Sequence, residues 1–182
     1  MRFLFGVLVG ILGVFVAGYF IAMSGNISVA ATNRGGLNDK IDSFLNAVSD
    51  RSIEKHAPKK TNPFAKDPAA AAAGLLHYKE NCLYCHGAKD IDALEFAKGF
   101  NPGAPMLDMK DVQELKDGEL FWIISNGIRA TGMPAFSPTH KEDEIWKIVS
   151  FVRRLPKLTD DEVAKLKAGR QEDHHHEEAA KQ

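Results

Sequence analysis

The pentapeptide Cys82-Leu83-Tyr84-Cys85-His86 constrains this chain more than any other feature, because it holds the only two cysteines among 182 residues. A ring closed over two intervening residues is too short to hold a domain together as a structural disulfide, so the pair must do local chemistry. Three uses compete: thiol exchange, half of a zinc site, and covalent attachment of a porphyrin. Exchange would want a strand and a βαβ context, and zinc would want two further ligands at paired spacing. The sequence offers neither. The adjacent histidine fits the third use, in which two thiols add to the vinyl groups of one porphyrin edge while the imidazole turns under the ring to bind iron. The expectation is one c-type haem, covalently bound through Cys82 and Cys85, with His86 on the iron.

A haem that carries electrons rather than binding gases needs a second axial ligand, and a thioether supplies one while raising the potential. Of five methionines, Met1 and Met23 belong to the apolar N-terminus, which leaves Met106, Met109 and Met133. Met133 lies in the run from Gly127 to Phe136, where glycines allow close backbone approach to a flat ring and Pro134 fixes the exit. Loop chemistry makes it the better candidate, and Met106 and Met109 are expected to fill core. His77 and His140 stand alone in the sequence and read as solvated.

Phe3 to Met23 is an unbroken uncharged run, about 30 Å long as a helix, which matches the hydrocarbon thickness of a bilayer. Residues 1–23 are read as a single-pass anchor with an inside N-terminus, placing the rest on the periplasmic or extracytoplasmic side of the inner membrane. A cleaved signal peptide, with a site near Ser28-Val29-Ala30, is the competing reading. Residues 24–66 are read as a stalk helix, with Leu37, Ile41, Phe44, Leu45 and Val48 at helical spacing, followed by an extended proline- and lysine-rich linker. Residues 67–156 form the main domain, and 157–182 a charged tail expected to hold a short helix and then disorder. His174, His175 and His176 in that tail suit copper or nickel, but read better as solvated sequence.

The class is all-α. Asp67 suits a helix N-cap and Pro68 the first position of a helix that runs to about Asn81. Asp117 is expected to cap a second helix, Gly118 to Asn126, closed by Gly127. A third, from Lys141 to Leu155, carries Glu142, Asp143 and Glu144 at its start and Arg153 and Arg154 at its end, each opposing the helix dipole. A formal net charge of −1 provides no basic stripe for phosphates, so nucleic acid is excluded as a partner.

From about Asp67 to Leu155 the sequence resembles the class I monohaem cytochrome c family. The likeness rests on the attachment motif, on Gly74 and Tyr78 eight and four positions before Cys82, on Ile148 and Phe151 in the last helix, and on Pro105-Met106-Leu107. It implies a cytochrome c fold of three main helices around one haem, with the Pro105 carbonyl accepting from the axial histidine and Leu107 against the ring. Pro102 is a weaker candidate for the carbonyl. Arg129, and the indole of Trp122 or Trp146, are candidates for the haem propionates. The implied function is single-electron transfer in an exported respiratory chain, with His86/Met133 ligation, no substrate transformed, and redox proteins as transient docking partners. From Asp67 to Pro156 there are ten Lys/Arg and thirteen Asp/Glu, which suits a basic partner face. Two alternatives stand beside it: a haem subunit of a larger membrane oxidoreductase complex, and a ligand-binding or peroxidatic cytochrome with an open sixth position.

Overall fold

The crossing of two helices organises the chain. In the computed structural model, which describes residues 2–26, 30, 32 and 37–168, α3 (Pro68–Asn81) lies across α7 (Glu142–Arg154). A Cβ placed on Gly74 would stand 2.0 Å from the Lys147 carbonyl oxygen, so only glycine permits this approach. Beside it the fully buried rings of Tyr78 and Phe151 pack 5.2 Å apart. The Asp67 carboxylate accepts from the Ala69 amide at 2.9 Å and Pro68 follows, a start written in local chemistry.

The remaining elements are α1 (Arg2–Met23), α2 (Leu37–His56), α4 (Leu83–His86), α5 (Lys110–Glu114), α6 (Asp117–Asn126) and α8 (Asp160–Lys167). Short 3-10 turns cover Glu95–Gly99 and Leu155–Lys157. Among the described residues the architecture is all-helical, and the one β feature is an isolated bridge between Ala88 and Ile91. α1 is exposed along its length, and its 22 residues, with an 18-residue stretch of mean hydropathy 2.5, suffice to cross a membrane; a signal sequence shares these properties.

Four expectations are corrected. Asp117 is not the cap of α6: Lys116 holds that position, and its amide donates to Glu119 Oε2 at 2.7 Å. Asp117 instead accepts from Arg153 Nε at 2.9 Å and from the Asn62 amide at 3.2 Å, tying α6 to α7 and to the segment before α3. Arg153 also donates to the carbonyls of Gln113 and Leu115.

That preceding segment, residues 57–67, is fastened down rather than extended. Asn62, 5% exposed, donates through Nδ2 to the Trp146 carbonyl at 3.0 Å and to Ser150 Oγ at 2.8 Å, while its Oδ1 accepts from the Phe64 amide. A Cβ on Gly118 would come within 1.9 Å of the Pro58 oxygen, so the strap is pressed onto the first turn of α6.

The core also continues past residue 156. α8 buries Val163 and Leu166, with Leu158 before it, and Thr159 caps it through the Glu162 amide. The Arg154 guanidinium sits 3.1 Å from Glu162 Oε1; burial pushes that carboxyl up, but the bonds from Arg154 and Thr159 outweigh it and hold it below its ordinary value. The triple histidine lies outside the described residues. Finally, the apolar stripe read in α2 is not its buried face: Phe44, Leu45 and Val48 are about half exposed or more, and the residue that α2 buries is Ile53.

Candidate functional site

Helix α3 delivers the pentapeptide. Cys82 caps its C-terminus and donates its amide to the Tyr78 carbonyl, and the single turn of α4 carries Cys85 and His86. The turn ends at Gly87, whose φ of +60° is a conformation natural to glycine. Tyr78 OH donates to the Gly87 carbonyl at 2.6 Å, so the buried core ring also fixes the exit from the turn. Burial raises the Tyr78 phenol above its ordinary value, which keeps it a neutral donor.

Cys82 and Cys85 are both free thiols. Burial pushes the Cys82 thiol up to about 12, with Cys85 adding to it, and burial raises Cys85 as well. Neither is set up as a nucleophilic thiolate for exchange. His86 places Nδ1 2.7 Å from the Pro105 carbonyl oxygen, which leaves Nε2 as the nitrogen with no hydrogen bond among the described residues. Desolvation lowers its pKa, partly countered by that same backbone bond. A neutral ring donating from Nδ1 is the form that presents a lone pair at Nε2.

The loop that leaves α6 supplies Met133. Gly127 opens it at φ +66°, Ile128 N donates to the Met133 carbonyl at 3.2 Å, and Met133 N donates to Thr131 Oγ1 at 3.1 Å. Phe136 N and Ser137 N return to the carbonyls of Ile124 and Ser125, so the loop is pinned at both ends.

Cys82, Cys85, His86, Met133, Pro105 and Leu107 all line one cavity of about 420 Å³, with walls from Leu120, Ile124, Phe136 and Val152. That volume falls in the range of small-molecule and cofactor sites, about 300–1,000 Å³. A predominantly apolar slot with two thiols, one imidazole nitrogen and one thioether fits a haem: it offers a nitrogen and a sulfur to an iron and two thiols to a porphyrin edge.

Other candidates are placed elsewhere. Arg129 is exposed and lines a neighbouring cavity with Trp122 and Thr131. Trp146 is buried, stacks on Phe121 at 4.2 Å between centroids and points Nε1 at Glu142, so it does not line the cavity. Met106 and Met109 are 38% and 53% exposed, not core residues, while Leu107 between them lines the cavity. Pro102 does line the cavity. His77 and His140 lie ring to ring at 5.3 Å rather than separately in solvent. Sequence reading missed Phe100, whose ring covers Gly132, and the α2 residues Asn46, Ser49, Asp50 and Ile53. Their spacing of three and four was a helical signal, but three of the four are polar and pattern reading assigned that face to solvent.

Residues 69–152 match the family model of cytochrome c oxidase, cbb3-type, subunit III. Among solved structures, cytochrome CL from the marine methylotrophic bacterium Methylophaga aminisulfidivorans is similar at 21% identity, over 82% of this chain and 89% of that one, with a TM-score of 0.39. No curated protein matches the chain.

Proposed function

We propose that residues 69–152, which match the family model of cytochrome c oxidase, cbb3-type, subunit III, form a cytochrome c domain and that the chain is a single-electron carrier. One c-type haem would be held covalently by Cys82 and Cys85, with His86 and Met133 as the residues that would bind its iron. When bound, the group supplies one-electron exchange between ferric and ferrous iron. The observation that carries the reading is the meeting of both thiols, the imidazole and the Met133 side chain in one apolar cavity.

Each residue has a task that requires no proton transfer to substrate. His86 is oriented by the Pro105 carbonyl, which fixes its tautomer and makes Nε2 the better donor. Met133 is held by a loop tied through Thr131 and Ile128, which would keep its sulfur in place beside the iron. Leu107, Leu120, Ile124 and Val152 keep the surroundings dry. Met133 bound to the iron would leave no site for peroxide or gas, which is what would separate a carrier from a catalyst.

The family description names a subunit of an oxidase, and this favours a second reading in which the domain serves a membrane complex as its haem subunit. In both readings α1 acts as a single-pass anchor with the haem domain on the periplasmic side, and the redox partner meets the domain in a transient contact. A mild-detergent co-purification separates carrier from subunit.

The test of the carrier reading is Met133→Ala. It should turn the ferric iron largely high-spin, lower the potential, and allow carbon monoxide to bind the ferrous form, which the wild type resists. Met106→Ala and Met109→Ala serve as controls. Ready carbon monoxide binding by the wild type, or loss of the sulfur-to-iron band in Met106→Ala rather than Met133→Ala, would overturn it.

A further inference from the structure

The matched domain begins at residue 69, yet the cavity around His86 and Met133 is completed by residues well before it. Asn46, Ser49, Asp50 and Ile53 stand at i, i+3, i+4 and i+7, which is one face of α2. We infer that α2 is a built-in cover of the haem cavity, and that Ile53 is a positioning residue whose side chain keeps water from the iron's surroundings. The inference rests on the haem reading above and extends it to a part of the chain outside the cytochrome module.

Two independent features support a fixed cover rather than a helix resting on the surface. The first is selectivity. Ile53 is 7% exposed, whereas Phe44, Leu45 and Val48 on the same helix are between 48% and 68% exposed. General stickiness would have buried the more apolar stripe, so what seats α2 is Ile53, with the polar residues of its face lining the cavity.

The second is attachment. Immediately after α2 the chain cannot swing away: His56 stacks on Trp122 at 6.4 Å, Pro58 presses on Gly118, and Asn62 is bonded into α7. The strap thus grips α6 and α7, and those helices supply Leu120, Ile124 and Val152 to the lining of the same cavity. One frame therefore holds both the cover and other walls of the cavity.

The consequence is a drier site. Excluding water disfavours the more highly charged ferric state, which raises the potential, and it slows the entry of outside ligands that compete with Met133.

The experiment uses the full-length holoprotein. Ile53→Asn keeps the helix but admits water at the cover, and Phe44→Asn, on the open face, is the control. Ile53→Asn should lower the reduction potential and speed imidazole binding to the ferric haem several-fold, while Phe44→Asn leaves both unchanged. Hydrogen exchange of the wild-type holoprotein gives a readout that requires no variant: the amides of 46–53 should be protected well beyond those of an isolated helix. Open-chain exchange there overturns the cover, even if Ile53→Asn fails to fold. So do potential and imidazole rate unmoved in Ile53→Asn. A wild-type protein isolated without covalent haem would instead overturn the haem reading, so the two failures are distinct.

Discussion

Gly127 and Met133 face each other across the loop that leaves α6: a Cβ on Gly127 would lie 2.6 Å from the Met133 carbonyl oxygen. The backbone of Gly127 also has φ +66° with an extended ψ of −174°, a combination almost confined to glycine. The residue that ends the helix and the residue proposed to reach the iron are therefore one geometric unit.

Gly127→Ala should accordingly do more than destabilise. Backbone strain alone is worth about 1–3 kcal/mol, and the clash moves the Met133 loop. The expected result is a lower melting temperature together with a weakened sulfur-to-iron band, read by visible spectroscopy. A loss of stability with an untouched band would show that the loop repositions Met133 independently of Gly127.

Asn62→Ala removes two donors to the Trp146 carbonyl and Ser150 Oγ from a site 5% exposed. Leaving buried polar groups unpaired costs about 1–3 kcal/mol. Denaturant unfolding should record that loss, and limited proteolysis should cut between residues 57 and 67 faster than in the wild type. Unchanged proteolysis would mean that Pro58 on Gly118 holds the strap without help.

Tyr78→Phe deletes the bond to the Gly87 carbonyl while keeping the ring against Phe151. The expected cost is again about 1–3 kcal/mol, measurable in urea. Because burial holds the phenol neutral, the difference between the two proteins should stay constant as pH rises from neutrality to mildly alkaline values.

Leu166→Ala, at a fully buried position in α8, should cost about 2–5 kcal/mol. A tail that merely decorated the domain would lose nothing, so equal midpoints in urea would remove α8 from the core.

The sequence was most legible where a structure depends on neighbours in the chain. Asp67 with Pro68, the opposed charges at the two ends of α7, and Gly127 are local signals, and all lie where local physics places them. Gly74 was legible through the family likeness, and its reason is the Lys147 carbonyl that it meets. The strap was hidden because the partners of Asn62 are 84 and 88 positions away and an asparagine between prolines looks like solvated linker. Asp117 was misread for a related reason: its capping chemistry was plausible, but Arg153, 36 positions on, offered its carboxylate an ion pair instead. The inner face of α2 was hidden because a cofactor cavity accepts polar edges that a protein core would reject.

The strap also changes how far the domain can roam. With α2 and residues 57–67 seated on the domain, only thirteen residues, 24–36, separate the end of α1 from the start of α2. Fully extended, these reach at most about 45 Å. If α1 stays in a bilayer, that length confines the domain to a thin layer above it, and a partner in the same membrane meets it at a high effective concentration. Lengthening or shortening this segment would then tune the encounter frequency without touching a single contact at the docking surface.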